Sequence, residues 1–264
     1  MKIADIIKNI EAIAPVRAQA EWDLSGLQVT SERTVARKMA LCLDPLPERL
    51  AAALDAGADF ILSHHPLSLA PKLPNKRNAW FEALKLLMTA DVPLYAAHTS
   101  LDVNLAGPAG WLGRVLNLKD MRILEPTTPP DAIFPDGLGF GAIGELPEAE
   151  SAADFLRRLA RLLKLENIVL CGPELPQKLR RVAFCGGSGS SLCEAAAKAG
   201  ADLFITGDMK YHAALESPVT VADVGHFSIE NEMMRHMAEL LRQRLEGIDV
   251  IFVDAHAPFR TFIA

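Results

Sequence analysis

Histidine and carboxylate side chains recur where the predicted strands of this chain end. The run Phe60-Ile-Leu-Ser-His-His-Pro66 is apolar up to Ser63 and then polar, which is typical of a buried parallel strand followed by a loop. In open α/β folds, ligands bind at the carboxyl ends of such strands. Imidazole and carboxylate groups together suit Zn, Fe, Mn or Ni, so the pattern indicates a metal site. The candidate ligands are His64, His65, His98, Asp102, Asp208, Asp223, His226 and Glu230.

The spacing of these residues is compatible with two neighbouring metals. Adjacent His64 and His65 in an extended segment would point to opposite sides and could serve different ions. His226 and Glu230 are four positions apart, so on a helix they would project from one face. A two-metal centre activates water for attack on an electrophile. The alternatives are a hydrogen-bonded core or cap histidine at position 64 and an ordinary surface pair on a helix, because no spacing matches a named zinc signature.

An internal repeat predicts the elements that position these groups. Arg37-Lys-Met-Ala-Leu-Cys42 resembles Arg180-Arg-Val-Ala-Phe-Cys185, and Ala52-Ala-Leu-Asp-Ala-Gly-Ala-Asp59 resembles Ala195-Ala-Ala-Lys-Ala-Gly-Ala-Asp202 at the same offset. Each copy is typical of a strand, a helix, an Ala-Gly-Ala-Asp turn and a second strand. That is a βαβ unit with parallel strands. Chance similarity between two generic α/β units is the alternative.

We therefore predict an α/β protein of two related lobes, built from repeated βαβ units, with the second lobe inserted into the first. The Pro-rich run Glu125-Pro-Thr-Thr-Pro-Pro130 is typical of a linker. A helix should begin after Ser151 through a motif that resembles a capping box. The predicted domains are residues 1–125 with 227–264 for the first lobe and residues 126–226 for the second.

Composition limits the classes of function. The chain has 264 residues, half of them apolar, which is enough for a full core in one or two domains. Its net charge of −6 and its lack of a basic tract argue against a dedicated nucleic-acid role on electrostatic grounds. No apolar run approaches the ~20 residues needed to span a bilayer. The N-terminal segment lacks the apolar region of a signal peptide and the four cysteines form no CxxC pair, so we expect a soluble cytoplasmic protein.

Several segments together resemble the GTP cyclohydrolase I type 2 homologue family, also called Nif-three-like dinuclear metal proteins. They run in family order over nearly the whole chain, which is similar to the short form without the extra middle domain. The chain departs from the family pattern at Leu24 and Ser100, where members often carry Asn. The matching segments are Trp22-Asp-Leu-Ser-Gly-Leu-Gln28, Ser63-His-His-Pro66, His98-Thr-Ser-Leu-Asp102, Gly186-Gly-Ser-Gly189, Thr206-Gly-Asp-Met-Lys-Tyr-His212 and Asp223-Val-Gly-His-Phe-Ser-Ile-Glu230.

The resemblance implies roles for individual residues. Two divalent metal ions per chain would be ligated by His64, His65, Asp102, His226 and Glu230. His98 and Asp208 would move protons, with His98 left open as a further ligand or as a residue that orients one. Substrate contacts would come from Trp22, Asp23, Ser188, Lys210 and His212. A packed loop at Trp22-Asp23, a purely structural glycine turn at 186–189 and a salt-bridged Lys210 are the respective alternatives.

The resemblance also implies an activity and an assembly. The activity is that of a metal-dependent hydrolase, with GTP cyclohydrolase-type opening of a purine ring: activated water adds at C8 and formate leaves. The substrate would be a small molecule such as a nucleotide, and the assembly a homohexamer with its metal sites facing the interior. Phosphoester hydrolysis, a metal-binding or metal-delivery adaptor, and a structural toroid that contacts protein or nucleic acid are the alternatives.

Overall fold

A computed structural model describes residues 1–260 and residue 262. The helices are α1 (Ile3–Glu11), α2 (Pro47–Asp55), α3 (Ala79–Ala90), α4 (Thr99–Asp102), α5 (Trp111–Val115), α6 (Ala152–Leu163), α7 (Cys193–Lys198), α8 (Tyr211–Glu216) and α9 (His226–Arg244). The strands are β1 (Gly26–Val29), β2 (Lys38–Cys42), β3 (Phe60–Ser63), β4 (Leu94–Ala96), β5 (Lys119–Thr128), β6 (Leu138–Ser151), β7 (Val169–Cys171), β8 (Lys178–Phe184), β9 (Leu203–Thr206), β10 (Val221–Asp223) and β11 (Asp249–Phe252). Among the described residues we find no helix that combines the length and the apolar character needed to cross a membrane.

The chain forms two compact units, and the second is inserted into the sequence of the first. One unit comprises Met1–Leu101 with Met233–Ala264, and the other comprises Asp102–Glu232. This arrangement confirms the predicted α/β fold class. The domain boundaries given above stay predictions.

The first unit is built on a five-stranded sheet in the order β1-β4-β3-β2-β11. The strands β11, β2, β3 and β4 run parallel, and β1 pairs antiparallel with β4 at the edge. β3 is buried at every position, as expected for a parallel strand covered on both faces. Leu50 of α2, Ile61 of β3 and Leu87 of α3 belong to one apolar core. The carboxyl ends of β2, β3 and β4 consequently share one edge of the sheet.

The second unit is built on a six-stranded sheet in the order β5-β6-β8-β9-β10-β7. Its central strands β8, β9 and β10 run parallel, while β5, β6 and β7 pair antiparallel. Ile143, Phe204 and Val221 lie in its apolar core together with residues of α7. The carboxyl ends of β9 and β10 again share an edge, and polar residues follow both strands.

The predicted βαβ repeat is confirmed, and each copy is closed by the same contact. β2-α2-β3 and β8-α7-β9 both have parallel strands joined by a helix. In the first copy, the Asp59 carboxylate accepts hydrogen bonds of 2.9 and 2.8 Å from the amides of Arg37-Lys38. In the second copy, Asp202 accepts bonds of 2.8 and 2.7 Å from the amides of Arg180-Arg181. The final Asp of each Ala-Gly-Ala-Asp turn therefore ties the second strand to the beginning of the first.

Two local predictions were wrong. The segment expected to be a linker lies mostly within β5, where Pro126 pairs with Gly139 of β6. β5 is an edge strand, and an edge strand tolerates proline because its outer side needs no backbone donor. Ser151 makes no side-chain capping bond at the start of α6 and is instead the last residue of β6. The helix itself was predicted correctly, since Phe155 and Leu159 bury its apolar face.

Candidate metal centre

His64 and His65 follow the buried end of β3 and are fixed by the chain that leaves β2. The amide of His65 donates a hydrogen bond of 3.0 Å to the carbonyl of Leu43. His64 is fully buried, and its ring Nδ1 lies 2.8 Å from the carbonyl oxygen of Ala97. Ring Nδ1 of His65 lies 2.7 Å from Oδ1 of Asp44. Both imidazoles are thus held through Nδ1 by an oxygen acceptor.

His98 lies just beyond β4 and is held in the same way. Its Nδ1 lies 2.8 Å from Oδ1 of Asp23, a carboxylate with a fully buried side chain. Its backbone amide donates a 3.1 Å hydrogen bond to Oγ of Ser25. The ring and the backbone of His98 are therefore both tied to the segment that precedes β1.

The three histidines of the first unit form a cluster, which we call the histidine cluster (His64, His65 and His98). Their ring centroids are 4.9 to 5.4 Å apart. One ring nitrogen from each residue lies within 4.8 Å of the other two. Because a carbonyl or carboxylate oxygen can only accept, each Nδ1 must carry the proton, which leaves the Nε2 lone pair as the ligand atom. Metal-binding histidines usually show this arrangement, so the cluster fits a divalent metal ion.

The environment of Asp23 favours its ionised form. Burial alone would raise the pKa of Asp23, but hydrogen bonds from His98, Thr99 and Ser25 hold that pKa well below its ordinary value. An ionised acceptor favours the His98 tautomer with its proton on Nδ1. This strengthens Nε2 of His98 as a donor to a metal ion.

The second unit carries the predicted histidine–glutamate pair at the beginning of α9. Nε2 of His226 lies 2.8 Å from Oε2 of Glu230, and Nδ1 of His226 lies 2.7 Å from Oδ2 of Asp208. Since Nδ1 donates to Asp208, a neutral His226 ring presents the lone pair of Nε2 to the nearly buried Glu230 carboxylate. Two such atoms repel each other unless a proton or a cation lies between them. The donor set of this pair therefore fits a metal ion as well.

Glycines make room for this pair. Gly187 has a φ of +62°, and a Cβ atom at this position would collide with Oε1 of Glu230. A Cβ atom on Gly207 would come within 2.5 Å of the backbone nitrogen of His226. The predicted glycine turn thus packs directly against Glu230, which supports the structural alternative for the turn.

The remaining predicted site residues differ in exposure. Trp22 is 60% exposed, and its ring centroid lies 5.6 Å from that of His98 with the rings edge to face. Asp102 ends α4 and is half-buried. Three further residues expected at the substrate are exposed in the second unit: Ser188, Lys210 and His212. Their roles stay predictions.

Asp44 is a candidate that the sequence argument missed. It lies two positions beyond the end of β2 and accepts the Nδ1–H hydrogen bond of His65. The rule that polar residues follow the ends of parallel strands would have found it, because β2 is the parallel neighbour of β3. Asp223, in contrast, accepts backbone hydrogen bonds from Met209 and Gly225, which is a structural role.

Fold and site together define a two-unit α/β protein with a candidate metal centre rich in histidine. The family model for Duf34/NIF3 (NGG1p interacting factor 3) matches residues 1–258, and the chain belongs to this family. A Clostridium perfringens protein named GTP cyclohydrolase 1 type 2 homolog is 31% identical over 266 residues, covering 98% of this chain and 99% of the relative. A Nostoc protein of the same name is 32% identical over 250 residues, covering 92% of each.

Solved structures share the fold over the whole chain. A Bacillus cereus protein related to NIF3 superimposes with a TM-score of 0.89 at 22% identity and covers 99% of both chains. A Staphylococcus aureus protein gives a TM-score of 0.88 at 26% identity with the same coverage. These similarities confirm the predicted architecture and the resemblance noted from the sequence motifs.

Proposed function

We propose that this protein is a metal-dependent hydrolase that holds two divalent ions per chain. The proposal is carried by the histidine cluster, in which three imidazoles converge and each is held through Nδ1 with Nε2 as the ligand atom. The second unit adds the His226–Glu230 pair, whose close contact calls for a cation or a proton. With Asp102, these are the ligands that the family resemblance implies: His64, His65, Asp102, His226 and Glu230. His98 joins this set as a further candidate.

The reaction that the names of the relatives favour is hydrolytic opening of the purine ring of GTP. Two water molecules are consumed: the first opens the five-membered ring at C8 to a formamide, and the second releases formate. Bound divalent ions would supply electrophilic activation and a more acidic water. The chain itself must bind the nucleotide and move protons between water and the ring nitrogens.

The geometry constrains how the residues could move protons. Any proton that His98 transfers must pass through Nε2, because Nδ1 is held by Asp23. Asp208 uses Oδ2 to hold His226, so Oδ1 is the oxygen with which it would exchange a proton. Both residues would combine proton transfer with the orientation of a partner.

The substrate contacts follow from exposure and charge. Trp22 offers an exposed aromatic face next to His98, on which a planar base could stack. The exposed Lys210 offers a cation for a phosphate group, and Ser188 and His212 offer hydrogen-bond donors. A nucleotide contains both kinds of group that these side chains could contact, a planar base and phosphates.

A metal-binding or metal-delivery adaptor is the second candidate. The observation that favours it is exposure: the side chain of His226 is 32% exposed, and that of Asp208 is 45% exposed. Ligands that are open to solvent can exchange a metal with a partner, whereas a hydrolase gains from excluding bulk water. A phosphoesterase would use the same residues on a different bond.

The test measures metal content and formate release from GTP on one preparation, for the wild type, His65→Ala and His256→Ala. His256 is an exposed histidine outside the cluster and serves as the control. We expect about two metals per chain, with formate release abolished in His65→Ala and retained in His256→Ala. Two metals without turnover of GTP would favour the adaptor or the phosphoesterase. No metal after reconstitution would overturn the proposal.

A further inference from the structure

The carboxylate of Asp23 is saturated with hydrogen bonds. Oδ1 accepts from the amide of Leu24 at 2.7 Å and from Nδ1 of His98 at 2.8 Å. Oδ2 accepts from Oγ of Ser25 at 2.8 Å, from the amide of Thr99 at 3.0 Å and from the Thr99 hydroxyl. A carboxylate offers about four lone-pair sites, and five donors already occupy this one. Its side chain is also fully buried, so Asp23 has neither the exposure nor the capacity to bind a substrate directly.

We propose that Asp23 is the positioning residue of the histidine cluster and acts through His98. It fixes the His98 ring in the tautomer protonated at Nδ1 and orients the ring. The lone pair of Nε2 can then bind a metal ion. The inference rests on the proposed metal-binding function. It replaces the substrate contact expected for Asp23 with an indirect role.

The surroundings of Asp23 explain why it should affect metal binding more than Asp44, which holds His65. Asp23 connects the segment before β1 with the first residue of α4, and Ser25 holds the backbone of His98 from the same segment. The side chain of Asp44, which holds His65, is 38% exposed. Water can replace an exposed acceptor, but it cannot replace a buried one at little cost. We therefore expect a substitution at Asp23 to affect metal binding more strongly than the same substitution at Asp44.

Asparagine separates charge from hydrogen bonding at this position. In Asp23→Asn, the amide oxygen can still accept from Nδ1 of His98 if the NH2 group takes the place of Oδ2. There it meets the hydroxyls of Ser25 and Thr99, which already accept hydrogen bonds from the amides of His98 and Ala20, and the amide of Thr99, which can only donate. The variant should therefore keep the His98 tautomer, lose the negative charge and weaken metal binding. Asp23→Ala removes both the charge and the acceptor.

The experiment titrates Zn²⁺ and Co²⁺ into the apo forms of the wild type and a set of variants. We expect Asp23→Asn to raise Kd about 10-fold and Asp23→Ala up to about 100-fold, the range typical of residues that support metal-bound histidines. Asp44→Asn should raise Kd less than Asp23→Asn does. Asp55→Asn, which removes an exposed charge from the same unit, should leave Kd unchanged.

A double-mutant cycle with His98→Ala tests whether Asp23 acts through His98. In that background, Asp23→Asn should cause no further loss of affinity. An equal loss in both backgrounds, or a Kd for Asp23→Asn equal to that of Asp55→Asn, would overturn the inference. A wild-type protein that binds neither metal would instead overturn the proposed function.

A measurement on the unsubstituted protein keeps the inference testable if a variant fails to fold. Two-bond ¹⁵N–¹H correlation spectra of the apo protein distinguish the two neutral tautomers of each histidine ring. We expect His98 to show the form protonated at Nδ1. A His98 ring protonated mainly at Nε2 would overturn the inference.

Discussion

Single hydrogen bonds decide the chemistry of the histidines in this chain. His64 uses a backbone carbonyl as its acceptor, whereas His65, His98 and His226 each use an aspartate. An oxygen acceptor at Nδ1 favours the tautomer protonated there in each of the four rings. The histidines of both units would therefore bind a metal ion through the same atom, Nε2.

At Gly187 a single methyl group should be enough to disturb Glu230. In Gly187→Ala, the left-handed backbone alone costs about 1–2 kcal/mol, and the new Cβ atom would collide with the Glu230 carboxylate. We expect a lower free energy of unfolding in urea and weaker Zn²⁺ binding. Gly186→Ala is the matched control, because its Cβ atom would lie 3.6 Å from Glu230, an ordinary contact distance. Equal effects of the two substitutions would contradict this explanation.

Tyr95 should make the stability of the protein depend on alkaline pH. Burial, together with the hydrogen bond to Glu11 and the charge of Glu11, raises the pKa of Tyr95. The stabilisation is complete below the unfolded pKa of about 10 and is lost as pH rises above it, because the unfolded chain releases the proton first. Tyr95→Phe should flatten the decrease of the unfolding free energy above pH 10. Tyr211→Phe removes an exposed hydroxyl and should keep the wild-type slope, so a parallel change in both variants would exclude Tyr95 as the cause.

The positions of the site residues were more predictable than their partners. His64, His65 and His98 were found because apolar strands followed by polar residues can be recognised in a sequence. The contact of Asp23 with His98 was not found, because it joins segments far apart in the chain and depends on side-chain conformation. Asp44 was predictable in the same way, because it follows the parallel strand β2 as His64 follows β3.

At the scale of elements, the two βαβ units share more than their strand order. Each has a glycine with positive φ at the same position of the Ala-Gly-Ala-Asp turn, Gly57 or Gly200. Each has an aspartate that accepts two amides from the first strand or its approach. The repeat could be predicted because both features leave a sequence signature. The edge strand β5 could not, because Pro126 resembles a loop residue until its position in the sheet is known.

The closing aspartates should each contribute to stability. Asp59→Ala leaves the amides of Arg37-Lys38 without their carboxylate, and Asp202→Ala does the same to those of Arg180-Arg181. We expect each substitution to lower the free energy of unfolding by about 1–3 kcal/mol, as measured by urea denaturation. Asp55→Ala, at an exposed position of α2, should change it by less than about 0.5 kcal/mol. Values for all three variants within error of one another would refute the closing role.

At the scale of the whole molecule, metal binding and folding should be linked. An ion that binds only the folded state raises the free energy of unfolding by about 2.7 kcal/mol at a concentration of 100 times Kd. We expect Zn²⁺ to raise Tm of the apo protein in a calorimetric scan and a chelator to reverse the rise. His65→Ala should show a smaller rise than the wild type. An unchanged Tm across saturating metal concentrations would argue against binding to the native state.

The two βαβ units are closed by the same kind of contact but carry different residues at the end of the second strand. Ser63-His64-His65 in one copy and Thr206-Gly207-Asp208 in the other occupy the same position at the end of the second strand. The same backbone unit therefore carries different polar groups at its strand end, while an aspartate closes both copies. The two copies can be treated as one scaffold in which the residues after the second strand can be exchanged. Transplanting the histidine pair into the second copy would show how far such a scaffold can acquire new chemistry without being rebuilt.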